Sequence, residues 1–186
     1  GGNWGLRGSA MHIHIGWWAA DPYARADWRR WLEGRYGSIE ALNTAWEGAD
    51  YGSFDAVDVV LPQVMQHRRQ RLDFTQWYTD SMSDWCAWWA GEARAALPDV
   101  PLYQSAGGWG FREAGTDYAA QARAMVPLKG GIRLTNETDN FEQDVCCTRM
   151  AMTAARHYGI PIGAEPASSH TARGVAGRLF NLMGVN

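Results

Sequence analysis

The fold is decided by residues 131–165, which read GIRLTNETDNFEQDVCCTRMAMTAARHYGIPIGAE. Two short apolar segments, 132–135 and 160–164, stand on either side of a helical segment that ends at Gly159. Two apolar strands joined by a helix are typical of a βαβ unit, in which the strands run parallel. The segment 160–164 is predicted to be a fully buried strand. The stretch therefore predicts an α/β fold with a parallel sheet.

The same alternation continues on both sides of this stretch. PLYQS at 101–105 predicts a strand, and TDYAAQARAMVPL at 116–128 predicts a helix that is capped at Thr116 or Asp117. TARGVAGRLFNLMG at 171–184 predicts a further helix. Residues 98–186 are therefore βα repeats, and their spacing fits both a doubly wound sheet and a barrel.

Residues 21–97 precede these repeats and predict mainly helices. Asp21 is a predicted N-cap, Gly37 lies just past the end of the same helix, and Ser38 begins the next one. The longest helical segment, 63–97, ends before a proline. Its apolar residues predict a broad apolar face, which comprises Leu72, Trp77, Met82, Trp85 and Trp89.

Composition excludes several classes of protein. The net charge of -3 gives no reason to expect nucleic acid or an anionic membrane as a partner. No stretch approaches the roughly 20 apolar residues that cross a bilayer. Residues 1–10 lack a basic start and an apolar core, so that a cytoplasmic location is expected.

Cysteine and tryptophan usage adds two expectations. The three cysteines form neither a disulfide framework nor a zinc spacing, and the adjacent Cys146 and Cys147 are expected to be small apolar residues within a helix. The number of tryptophans, 11 in 186 residues, is unusual. Some belong to the core, but a tryptophan-rich cleft would also suit a carbohydrate site.

Two glutamates stand where predicted strands end. Glu137 follows the strand 132–135, and Glu165 follows the strand 160–164 with a proline directly after it. Because ligands bind at the C-terminal ends of parallel strands, the two carboxylates are candidates for an acid/base or acid/nucleophile pair. The alternative is that each glutamate caps a helix or pairs with an arginine such as Arg133 or Arg173.

Other candidate sites have weaker support. His12 and His14 share one face of a possible strand and could begin a metal site, although only His170 could join them. Ordinary hydrogen-bonded histidines are favoured. No G-x-S-x-G elbow, phosphate loop or dinucleotide fingerprint is present. Trp109 follows the PLYQS strand and is either a sugar-stacking platform or part of the core.

Several stretches resemble glycoside hydrolases of the clan built on (β/α)8 barrels, and most of all the family 42 β-galactosidase-like catalytic domain. The stretches are DPYARADWRRWLEGRYGSIEALNTAWEG, YGSFDAVDVVLP, RLDFTQWYTDSMSDWCAWW, LPDVPLYQSAGG, GIRLTNE and IPIGAEPA. The resemblance implies a single domain over 1–186, with a helical insertion and helix at 21–97 and βα repeats at 98–186. It further implies a partial barrel of about strands four to seven, and an isolated half-barrel with open sheet edges is expected to be unstable, oligomeric or inactive.

The resemblance also assigns roles to residues. The nucleophile at the end of strand seven corresponds to Glu165, while Asn136, Glu137 and Trp109 would orient and stack the sugar. The acid/base glutamate belongs at the end of strand four, at or just before GGNWGLRG, where Leu6 occupies the aligned position. Residues near these segments that would also contact substrate are Asn3, Trp4 and His170.

The sequence thus predicts a retaining glycosidase that acts on a β-linked sugar without a metal or organic cofactor. Two alternatives remain open. One is a catalytically inactive carbohydrate-binding barrel fragment, which Leu6 favours. The other is a metal-dependent barrel hydrolase that uses His12 and His14.

Overall fold

The computed structural model describes residues 3–6, 15–60, 62–107, 110–135, 139–165 and 171–184. The chain divides into two compact units, Gly1–Tyr78 and Thr79–Asn186. The boundary between them falls within the longest helix. None of the helices in the described ranges is long and apolar enough to cross a membrane.

The first unit combines a pair of strands with helices. β1 (Asn3–Leu6) and β2 (Ile15–Trp18) run antiparallel. They are followed by α1 (Pro22–Tyr36) and α2 (Ile39–Ala45), and the unit ends within α3 (Arg68–Ala96). The segment that resembles the end of barrel strand four thus forms β1, which pairs with β2 and not with the parallel sheet of the described residues.

The helix boundaries in this unit follow the local signals in the sequence. Asp21 caps α1, because its Oδ1 accepts hydrogen bonds from the N–H groups of Tyr23 and Ala24. Gly37 ends the helix with a φ of +72°, a conformation that favours glycine. The Ser38 hydroxyl then caps α2 by accepting the N–H of Ala41. The predicted starts of both helices are confirmed.

Aromatic side chains form the core of the first unit. Trp28, Trp46, Phe74 and Trp77 are each at most 2% exposed. The ring of Trp28 lies at the centre of the group, 5.1 Å from Trp77 and 6.2 Å from Trp46. Buried aromatic pairs contribute about 0.5–1.5 kcal/mol beyond their buried area. These tryptophans therefore have a structural role.

A buried carboxylate ties the helices of this unit together. The side chain of Asp73 on α3 is 1% exposed and accepts hydrogen bonds from the Tyr36 hydroxyl and from Trp46 Nε1, the latter at 2.9 Å. Its Oδ1 lies 3.2 Å from Arg35 Nε and 3.0 Å from Arg69 Nε. A buried charge requires such partners, because unpaired it would lose several kcal/mol of hydration. Asp73 thereby links α1, α2 and α3.

The second unit is built on a parallel sheet. Its strands are β3 (Tyr103–Ala106), β4 (Gly131–Thr135) and β5 (Ile162–Glu165), in the order β3-β4-β5. β3 pairs with β4, and β4 with β5, in parallel. The parallel sheet and the order of its βα repeats are thus as the sequence predicts.

Helices alternate with these strands. They are α4 (Tyr118–Met125), α5 (Phe141–Tyr158) and α6 (Ala172–Gly184). Asp117 rather than Thr116 caps α4, and Gly159 ends α5 with a φ of +66°. One face of the sheet packs with these helices in a core, whose largest buried members are Met125, Ile132, Leu134, Tyr118 and Cys147.

The predicted start and the predicted burial of the last strand are wrong. The last strand begins at Ile162 rather than residue 160, and it is not fully buried, since Ala164 is exposed. Among the described strands, β5 pairs only with β4, so that its other edge is not covered by a strand. On α3, Leu72, Trp85 and Trp89 are more than half exposed at 53%, 54% and 58%. Hydrophobicity alone does not show which face of this long helix other elements cover.

Candidate active site

The C-terminal ends of the three parallel strands lie along one edge of the sheet. Leu134 of β4 lies opposite Ala106 of β3, and Thr135 of β4 lies opposite Glu165 of β5. Parallel strands present their C-terminal ends to the same side, which is where α/β enzymes bind their ligands. Glu165 is the last residue of β5 and therefore stands at this edge.

The two faces of the sheet differ in character. Ile132 and Leu134 are 0% and 1% exposed and face the helices. Side chains alternate along a strand, so Arg133 between them points to the opposite face. The register places Ser105 beside Arg133 on this face, and Glu165 follows one layer nearer to the strand ends. The face that the described helices leave open is therefore polar near its C-terminal edge.

Arg133 connects all three strands through its side chain. Its Nη2 lies 2.9 Å from Oε2 of Glu165 on β5, and it donates a 2.7 Å hydrogen bond to Oγ of Ser105 on β3. The Arg133 and Glu165 side chains are 43% and 44% exposed. The ion pair that the sequence allows for Glu165 is therefore present, and the carboxylate remains open to solvent.

Tyr103 occupies the other end of the same face. A Cβ at Gly131 would lie 2.7 Å from the Tyr103 ring and 2.4 Å from the carbonyl oxygen of Pro161. A Cβ at Gly163 would lie 3.8 Å from the same ring. The ring thus takes space that a side chain at Gly131 would fill and would be in ordinary contact with a Cβ at Gly163. It forms a floor beneath the Arg133 layer.

A buried polar cluster lies on the helix side of the sheet, near the strand ends. Asp144 and Thr148 of α5 and Arg178 and Asn181 of α6 are each less than 9% exposed, and Asn181 Nδ2 donates to Asp144 Oδ2. A cavity of about 10 Å³ touches Glu165, Asp144 and Arg178. That volume is about one water molecule. Glu165 therefore borders the open face of the sheet and shares a small cavity with buried polar groups on the helix side.

The other predicted site residues receive no side-chain placement. Those outside the described residues are Asn136, Glu137, Trp109, His170, His12 and His14. Asn3, Trp4 and Leu6 belong to β1, where the backbone alone is described. Within the described part of the chain, no group of three or more histidines, cysteines, aspartates and glutamates could hold a metal ion.

Sequence reasoning named Arg133 as a possible partner of Glu165 but missed Ser105, Asp144 and Arg178. Ser105 is an ordinary strand residue until the register places it beside Arg133. Asp144 and Arg178 are buried charged residues of α5 and α6, and only the fold shows that they lie on the inner side of these helices. Glu165 itself was found from its position at a strand end.

Comparison with known proteins identifies the chain's relatives. The family described as "Beta-galactosidase", glycoside hydrolase family 42, matches residues 18–127. "Beta-galactosidase Bga" of Halorubrum lacusprofundi is 38% identical over 76 residues, which cover 38% of this chain and 11% of the relative. "Beta-galactosidase" of an Arthrobacter species is 37% identical over 82 residues, which cover 41% of this chain and 12% of the relative. The matches thus span only about a tenth of these relatives.

A solved structure supports the fold over most of the chain. The catalytic domain of beta-amylase from Paenibacillus polymyxa superposes with a TM-score of 0.72 at 14% sequence identity, covering 91% of this chain and 48% of that chain. The predicted α/β fold of the barrel type, present as a partial barrel, is confirmed. Because the family match includes residues 18–127, more than half of the sequence, the chain belongs to the β-galactosidase family 42 of glycoside hydrolases.

Proposed function

We propose that this chain contributes the nucleophile of a glycosidase that cleaves a β-linked sugar with retention of configuration. The observation that carries the proposal is the position of Glu165. Its half-exposed carboxylate stands at the C-terminal end of β5, on the open polar face, 2.9 Å from Arg133 Nη2. Membership of the β-galactosidase family supports the reaction class, although Glu165 lies beyond the matched residues.

The chemistry needs two carboxylates. Glu165 attacks the anomeric carbon, the glycosidic C–O bond breaks, and a covalent glycosyl-enzyme forms. A second carboxylic acid protonates the leaving oxygen and then, as carboxylate, takes a proton from the water that releases the sugar. The glycosyl–Glu165 bond breaks in that second step, so that both carboxylates return to their starting states.

The ion pair with Arg133 suits a nucleophile. The Nη2 group of Arg133 contacts Oε2 of Glu165 and so holds the glutamate side chain in one rotamer. Arg133 is itself fixed from the other side by its 2.7 Å bond to Ser105. Prior orientation of a reacting group lowers the barrier because less freedom is lost on reaching the transition state. We assign Arg133 to this orienting role.

Glu137 is the proposed second carboxylate of this chain. It follows β4 by two residues, and the end of β4 lies directly beside Glu165 in the sheet. Neighbouring strands are about 5 Å apart, which is close to the separation of about 5–5.5 Å that retention requires. Asn136, Trp109, Asn3, Trp4 and His170 are proposed to contact the sugar.

The test is Glu165→Gln in the full-length protein, assayed with an aryl β-galactoside. Turnover is expected to fall by about 10⁴-fold or more, since the amide cannot attack. Glu142→Gln is the matched control, because Glu142 is an exposed glutamate on α5 and its loss should leave turnover unchanged. Azide added to Glu165→Ala should restore aryl release and yield the glycosyl azide of inverted configuration.

Two results would contradict the proposal. Unchanged turnover of Glu165→Gln would remove this residue from the mechanism. Sugar binding by calorimetry without hydrolysis in the wild-type full-length protein would select the alternative of an inactive carbohydrate-binding barrel, which Leu6 at the expected acid position favours.

A further inference from the structure

Two connecting segments begin directly after neighbouring residues of the catalytic edge. Residues 136–138 connect β4 to Asp139, which precedes the N-cap of α5, and residues 166–170 connect β5 to Thr171, which precedes α6. Their starting points are adjacent, since Thr135 lies opposite Glu165 in the sheet. Whatever fixes the far ends of the two segments also limits the conformations that both can adopt.

The far ends meet at a hydrogen bond. Thr171 Oγ1 donates to Oδ2 of Asp139 at 3.2 Å. The same hydroxyl accepts the N–H of Gly174 at 3.0 Å and so caps α6. One threonine therefore joins the residue after the first segment to the first turn of the helix after the second.

The Asp139 carboxylate also lies directly against α6. A Cβ at Gly174 would stand 2.1 Å from Asp139 Oδ1 and 2.4 Å from its Cγ. No side chain larger than hydrogen fits there without moving the carboxylate. A negative charge in this place is favoured by the positive end of the helix dipole. The glycine thus makes room for a specific contact between two connections.

We infer that Asp139, Thr171 and Gly174 form a latch that holds the two connections of the catalytic edge together. The latch closes a ring: the Thr135–Glu165 strand pairing joins the connections at one end, and Asp139–Thr171 joins them at the other. Asp139 is then a positioning residue that acts on the segments carrying Asn136, Glu137 and His170. This inference rests on the proposed function of the edge.

The test is Gly174→Ala, with Gly177→Ala as the matched control on the same helix. A Cβ at Gly177 would meet only Phe141, at an ordinary 3.8 Å. Alanine favours a helix over glycine, so neither variant should lower the melting temperature by disturbing α6 itself. Gly174→Ala is expected to lower kcat about tenfold with little change in KM, because displaced groups lose transition-state contacts first. Gly177→Ala should match the wild type.

A double variant isolates the contact. Once Asp139→Ala has removed the carboxylate, Gly174→Ala should change kcat by less than about twofold further. Thr171→Ser should retain activity because it keeps the hydroxyl, whereas Thr171→Val should lower kcat as Gly174→Ala does.

Equal kcat values for Gly174→Ala and Gly177→Ala would overturn the latch, and so would additive effects of Asp139→Ala and Gly174→Ala. The proposed function is tested separately by Glu165→Gln. If that variant stays active, the nucleophile assignment fails, while non-additive melting temperatures in the Asp139/Gly174 cycle still support the latch and additive ones still contradict it.

Discussion

Replacing Asp73 with alanine should lower the free energy of unfolding of the first unit by more than a substitution of an exposed residue does. The carboxylate is 1% exposed and accepts from Tyr36 and from Trp46, whose side chain is completely buried. Alanine would leave both donors without their acceptor. A buried donor without a partner costs about 1–3 kcal/mol.

The buried Trp46 donor carries this cost in full and the partly buried Tyr36 hydroxyl only in part, so the total lies at the low end of the cost of breaking a buried ion pair, about 3–5 kcal/mol. The half-exposed Arg35 and Arg69 regain water when Asp73 is lost and add little to the cost. We therefore expect the free energy of unfolding to fall by about 3 kcal/mol, and the melting temperature by roughly 10 °C. Urea unfolding followed by tryptophan fluorescence measures the change, since Trp46 is in the cluster.

Asp58→Ala is the control for this experiment. Asp58 pairs with Arg25 at 2.8 Å, but the two side chains are 48% and 39% exposed. An exposed pair contributes about 0–1 kcal/mol. If Asp73→Ala and Asp58→Ala cost the same, the buried cluster does not stabilise the unit as described.

The pKa of Tyr36 reports directly on its hydrogen bond to Asp73. Burial and the hydrogen bond to Asp73 raise the pKa of the Tyr36 phenol. Asp73→Ala should lower that pKa in an ultraviolet titration. In a double-mutant cycle, Tyr36→Phe should cost at least about 1 kcal/mol in the wild type and almost nothing beside Asp73→Ala.

Two further predictions concern the second unit. Arg133→Ala should lower kcat about 10–100-fold through a misaligned Glu165, with Arg133→Lys in between, whereas Arg123→Ala on the exposed side of α4 should have no effect in the same glycosidase assay. Burial, followed by the charges of Cys146 and Asp144, raises the pKa of the Cys147 thiol to about 11. The folded state therefore favours the neutral thiol, and its stabilisation is complete below the unfolded pKa near 9 and is lost as pH rises towards 11. Denaturant unfolding at pH 8 and pH 10.5 should show a loss of at most about 2–3 kcal/mol that Cys147→Ala reduces, and equal pH dependence in both proteins would refute it.

The features that the sequence predicted well depend on local chemistry. The caps at Asp21 and Ser38 and the glycine ends at Gly37 and Gly159 involve residues within one turn of each other. The parallel sheet follows from repeated βα units, and the place of Glu165 follows from the sheet.

The features that it did not predict depend on tertiary neighbours. Trp85 and Trp89 on α3 have the spacing of a buried face but are more than half exposed, because no described element covers them. The bridge from Arg133 to Ser105 joins residues 28 positions apart and depends on strand register. A sequence shows alternation along one strand but not which residue of the next strand lies beside it.

The ring of Tyr103 on β3 lies next to Gly131 on β4 and Gly163 on β5, so the residues on neighbouring strands are not independent of one another. Gly131 cannot acquire a side chain even without that ring, because its Cβ would lie 2.4 Å from the carbonyl oxygen of Pro161, whereas a Cβ at Gly163 would be in ordinary contact with the ring at 3.8 Å. Among homologues, a small residue at position 103 should therefore accompany a larger residue at position 163, while position 131 stays glycine. Such correlated substitution, found in an alignment of the family, would trace how the barrel interior was refilled during its evolution.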